Sequence, residues 1–137
     1  MISTSSQTIT LLEFLQLPET KPAREYIDGQ IILKPMSQGK HSALQGGIVS
    51  VINADLKSKQ IARAFPELRI TFSAVSIVPD ISIFLWQRIP RDENGEIANT
   101  FSLAPDWIIE ILSPDQSQTK VMKKFYTVCT MAQLWAG

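Results

Sequence analysis

Glu110 lies in the phrase Pro105-Asp106-Trp107-Ile108-Ile109-Glu110-Ile111-Leu112-Ser113-Pro114, one carboxylate among five large apolar side chains. The run is short, continuous and rich in β-branched residues, which predicts a strand buried on both faces. An ionised carboxylate left alone in such surroundings is costly. Glu110 is therefore protonated, paired with a cation or bound to a metal ion, and the fold has to bring that partner from elsewhere in the chain.

The bulk numbers narrow the choice. The 137 residues suffice for a single domain, 1–137, and are too few for two. At 45% hydrophobic residues the chain can bury a core. Lysine plus arginine equals aspartate plus glutamate, 13 each, so the zero net charge gives no strong non-specific pull on nucleic acid, although a local basic face is compatible with it. One cysteine, Cys129, and one histidine, His41, exclude a disulfide framework and a Cys/His zinc site within one chain. An oxygen-liganded ion such as Mg²⁺ stays open. The first residues lack the basic and apolar regions of a signal peptide, and no apolar run approaches the ~20 residues of a membrane span. These features predict a cytoplasmic protein with no membrane partner.

Along the chain, residues 1–7 are Ser/Thr-rich and predict a disordered start. Thr10 and Glu13 form a capping-box pattern for a short helix that stops by Pro18. Glu25 to Leu33 carries Asp28-Gly29 between apolar runs, the signature of a type I′ hairpin, with Lys34-Pro35 ending its second strand. Ser37 to Gln60 reads as the main helix. Its apolar stripe is Leu44, Ile48, Val51, Ile52 and Leu56, His41 lies near its start, and Gly46-Gly47 suggests close approach of another backbone. Ile61–Phe65 and Leu68–Phe72 read as strands, Ser73–Ser76 as a turn, Ile77–Leu85 as one strand, and Arg88–Thr100 as an exposed loop. A last helix after Pro114 places Val121, Phe125 and Val128 on one face and Lys120 and Lys124 on another. The order predicts an α/β fold: a mixed sheet flanked by helices, with an N-terminal hairpin.

Two phrases resemble each other, Pro79-Asp80-Ile81-Ser82-Ile83 and Pro105-Asp106-Trp107-Ile108-Ile109-Glu110. If their strands are neighbours, Asp80 and Glu110 converge. Two adjacent carboxylates repel unless a shared proton or a cation lies between them. A divalent ion there would suit phosphodiester hydrolysis, because it polarises the phosphate and lowers the pKa of bound water. A nearby lysine would stabilise the developing charge.

The ordered set resembles the Uma-type putative restriction endonuclease family of the PD-(D/E)XK nuclease superfamily. It consists of Glu25-Tyr26-Ile27-Asp28-Gly29-Gln30-Ile31, His41 opening the long helix, Val78-Pro79-Asp80-Ile81-Ser82-Ile83, and Ala104 to Pro114. The resemblance implies a restriction-endonuclease-like fold and Mg²⁺- or Mn²⁺-dependent hydrolysis of DNA, with Asp80 and Glu110 as metal ligands and Lys124 as the catalytic lysine. Leu112 stands where the wider superfamily carries that lysine, and the resemblance transfers the role to the following helix. Glu25, His41 and Lys120 are further candidates for the same site. A homodimer, suited to cutting two strands, is implied in the same way. The departure is C-terminal: Val128 replaces an expected tyrosine, and Met131 to Gly137 looks like a shortened or diverged form of the family's next strand. That departure supports an alternative, a catalytically inactive shortened homologue that serves as a binding or assembly module.

Overall fold

The computed structural model describes residues 8–112. Residues 1–7 and 113–137 lie outside the described residues, and with them the helix expected after Pro114 and its Lys120 and Lys124.

Helix α1 (Leu11–Leu15) opens on the expected capping box: Glu13 N–H donates to the Thr10 hydroxyl, and the Glu13 carboxylate accepts from Thr10 N–H. Phe14 is its buried residue and packs against Tyr26, ring centroids 5.5 Å apart. Strands β1 (Arg24–Ile27) and β2 (Gln30–Leu33) form the hairpin. Asp28 and Gly29 sit at φ 54° and 75°, as a type I′ turn requires.

Helix α2 (Gly39–Ile52) runs into a π-helical turn, Asn53–Lys57, so the main helix begins later and ends differently than the sequence predicts. Its inward stripe also differs. Gln45, Ile48, Val49, Ile52 and Leu56 face the protein, whereas Leu44 and Val51 are exposed. Around Gly46 and Gly47 an added methyl group would meet no atom within 4 Å, so no close approach of another backbone occurs there among the described residues.

The segment expected as one strand over Ile77–Leu85 is two strands in two sheets. β4 (Ile70–Phe72) turns tightly at Ser73-Ala74, both at positive φ, into β5 (Val75–Ile77). β5 joins a four-stranded sheet of order β2-β1-β5-β4. Val78-Pro79-Asp80 then carries the chain across to β6 (Ile81–Leu85), the centre of a three-stranded sheet with β3 (Ala62–Pro66) and β7 (Trp107–Ile109) in the order β3-β6-β7. Proline lacks the N–H a continuing ladder needs, and the break falls at Pro79. All paired strands are antiparallel. The α/β class therefore holds, with its sheet divided in two.

The strand buried on both faces is β6, not β7. Ile81 and Ile83 pack with Ala62, Ala64 and Ile111 beneath α2, while Phe84 enters the core of the other sheet with Ile70, Phe72, Ile77 and Phe101. Phe65, Phe84 and Phe101 meet edge to face within that second core. β7 spans three residues, and Trp107 is 59% exposed. Among the described residues β7 has a sheet neighbour on one side only, β6, yet the Glu110 side chain itself is only 4% exposed.

Candidate active site

The sequence places a carboxylate at the end of each of two strands, and strand register decides whether they meet. β6 and β7 pair with Ile81 opposite Ile109 and Ser82 opposite Ile108. One further step sets Asp80 opposite Glu110, and both carboxylates reach the same ammonium group. Lys34 Nζ lies 3.1 Å from Asp80 Oδ1, 3.3 Å from Glu110 Oε2 and 2.6 Å from the Val78 carbonyl oxygen. Glu110 therefore has a cation partner, and the end of β2 supplies it. Lys34 N–H extends the hairpin by donating to the Ala23 carbonyl, which fixes where the side chain starts.

The remaining contacts immobilise Asp80. Its Oδ2 accepts from Ile111 N–H at 2.8 Å and from His41 Nε2 at 3.1 Å. Its carbonyl accepts from Gln45 Nε2 at 2.7 Å. His41 and Gln45 are one helical turn apart, so a single face of α2 delivers both. The other ring nitrogen of His41, Nδ1, is buried and has no hydrogen-bond partner among the described residues. Glu25 on β1 is 2% exposed, and its carboxylate accepts from Val78 N–H at 2.8 Å, so it stands directly behind the crossing.

The electrostatics follow from this packing. Burial pushes the Lys34 pKa down, but the charges of Glu110, Glu25 and Asp80 outweigh it and hold the ammonium above its usual range. Burial likewise pushes Asp80 up, and the Lys34 charge and the Ile111 N–H more than compensate, leaving the carboxyl below its usual range. Both groups are charged at neutral pH.

Of the residues expected at the site, Asp80, Glu110, His41 and Glu25 come together, and Lys124 and Lys120 lie outside the described residues. Lys34 is the residue that sequence reasoning missed. It is 46 residues from Asp80 and 76 from Glu110, and only its position after an apolar strand sets it apart. Asp106 has the structural role its strand-start position suggests: it accepts from Leu85 N–H and pairs with Arg88.

Two carboxylates and a backbone carbonyl aimed at one point form a hard oxygen donor set, which suits Mg²⁺ or Mn²⁺. Among the described residues no group of three or more His, Cys, Asp and Glu side chains forms a metal site by itself. A Mg²⁺ ion, however, commonly takes one or two carboxylates and keeps several waters. The residues present fit such an ion.

Carboxylates at adjacent strand ends, a lysine between them and a helix packed behind make this a restriction-endonuclease-like α/β protein. The comparisons agree. Residues 11–131 match the family Uma2, putative restriction endonuclease, and the chain belongs to that family. The crystal structure of a putative nuclease belonging to DUF820 from Anabaena variabilis is similar at a TM-score of 0.85 and 67% sequence identity, covering 89% of this chain and 68% of that one. No curated protein matches the chain. No helix among the described residues is long and apolar enough to cross a membrane.

Proposed function

We propose that the protein is a divalent-metal-dependent endonuclease that hydrolyses DNA phosphodiester bonds. The supporting observation is the convergence of Asp80 Oδ1 and Glu110 Oε2 on one cation position in a buried seam. In this reading Asp80 and Glu110 hold Mg²⁺ or Mn²⁺. When bound, the ion polarises the scissile phosphate and makes its water more acidic. Ile111 N–H and His41 keep the Asp80 carboxylate in one orientation, so it needs no reorganisation during the reaction. Lys124 is the proposed lysine that stabilises charge developing on the phosphate, an assignment that rests on the family resemblance. Family membership and the nuclease neighbour support the reaction class. A homodimer would suit cleavage of both strands.

Nicking of supercoiled plasmid in Mg²⁺ or Mn²⁺ tests the proposal. Wild type converts the plasmid to open circles. Asp80→Asn and Glu110→Gln lose about 100-fold or more of the rate, as expected when the charge that holds a catalytic ion is removed. Lys124→Ala falls by a comparable factor. Nicking that survives Asp80→Asn would reject the site. Plasmid binding without nicking would identify a catalytically silent binding module. Light scattering of the purified protein checks the dimer.

A further inference from the structure

We propose that Lys34 is an internal counter-ion of the metal-free site, and that a divalent cation binds Asp80 and Glu110 only by displacing its ammonium group. This rests on the metal reading above and adds a competitor to it.

The geometry supports displacement over co-residence. Asp80 Oδ2 is occupied by the Ile111 N–H and His41, so Oδ1 is the oxygen Asp80 has to offer, and that oxygen is the one Lys34 holds. The same ammonium takes Glu110 Oε2 and the Val78 carbonyl, with the Lys34 side chain only 11% exposed. A divalent ion sharing both carboxylate oxygens with that ammonium would face like-charge repulsion at close range in a poorly solvated place. The carboxylates need a cation to stay together, and either cation satisfies that need.

Lys34 is also built to leave. It follows β2, whose four residues are all exposed, and it begins an irregular stretch that lasts until α2 starts at Gly39. Its four-carbon stem can carry the ammonium outward without unpairing the hairpin. Lys34 is thus a positioning residue. It keeps two carboxylates preorganised before metal arrives and sets the affinity with which metal enters.

Amine acylation of the wild-type protein at fixed pH, read by peptide mass spectrometry, tests the exchange. Without metal, Lys34 is protected relative to Lys59, whose side chain is 63% exposed. Saturating Mn²⁺ raises Lys34 labelling severalfold while Lys59 is unchanged, and the midpoint follows Mn²⁺ uptake measured by calorimetry. In parallel, Lys34→Met binds Mn²⁺ about ten- to a hundredfold more tightly, the equivalent of one lost charge-assisted hydrogen bond. If Mn²⁺ binds while Lys34 stays protected, displacement is overturned and the metal reading stands. If neither wild type nor Lys34→Met takes up Mn²⁺, the metal reading falls and the displacement with it. Should Lys34→Met fail to fold, labelling of the wild type decides.

Discussion

Burial pushes the Lys34 pKa down and that of Asp80 up, and the charges of Glu110, Glu25 and Asp80 on the one side and of Lys34 on the other more than offset it. Removing one partner of such a pair costs more than the pair contributes, because the other charge is left buried. In metal-free buffer Lys34→Met should lose about 3 kcal/mol of stability by urea denaturation. The double variant Lys34→Met/Asp80→Asn should lose clearly less than the two single losses added together. Equal and additive losses would show that the pair is not coupled. The sequence made one side of this cluster readable. Asp80 and Glu110 stand out because each is a carboxylate in a β-branched strand, where chemistry has to explain the charge. Lys34 did not stand out, because a lysine after a strand is ordinary until tertiary structure buries it.

Elements were readable where local chemistry alone fixes them. The capping box of α1 and the Asp28-Gly29 turn depend on residues within four positions, and both are present as expected. α2 was harder, because its apolar residues fit two overlapping stripes. The sheet beneath selects the one containing Gln45, whose amide is needed by the Asp80 carbonyl. The same helix carries Gly46 and Gly47 with open space around both. Gly46→Ala and Gly47→Ala should each stabilise the protein by up to about 1 kcal/mol in chemical denaturation, since alanine is the better helix former and meets nothing. Destabilisation by either would mean that a surface absent from the described residues covers this face.

The segment between α1 and β1 is held differently. Arg69 makes a bidentate pair with Glu19, donates to the Ser76 hydroxyl and the Arg24 carbonyl, and lies over the Phe14 ring. Its hydrogen bonds keep the Glu19 carboxyl below its usual range. A depressed carboxylate stabilises the fold above its unfolded pKa, near 4.3, and that contribution disappears as pH falls through the lower folded value. The melting-temperature gap between wild type and Glu19→Gln should therefore be present at pH 7 and close below about pH 4. A gap that keeps its pH 7 size as pH falls to about 2 would assign the effect to packing.

At the scale of the whole molecule, the site lies on the seam between the two sheets. Lys34 and Glu25 come from the four-stranded sheet, Asp80 from the crossing, Glu110 from the end of β7, and His41 from α2. The crossing was not readable from the sequence, because Ile77 to Leu85 has uniform strand composition and only Pro79 marks the break. This layout has a thermodynamic consequence under the metal reading. Asp80 and Glu110, 30 positions apart, converge only in the folded protein, so the unfolded chain offers no comparable site. A divalent ion should then stabilise the entire fold by linkage. At a free Mn²⁺ concentration a hundredfold above the dissociation constant the gain is about 2.7 kcal/mol, or roughly 10 °C in melting temperature for a domain of this size. The shift should grow with the logarithm of Mn²⁺ concentration, reverse with EDTA and vanish in Asp80→Asn. A melting temperature that ignores Mn²⁺ in the wild type would mean that Asp80 and Glu110 form a structural ion-pair cluster with Lys34 instead of a metal site.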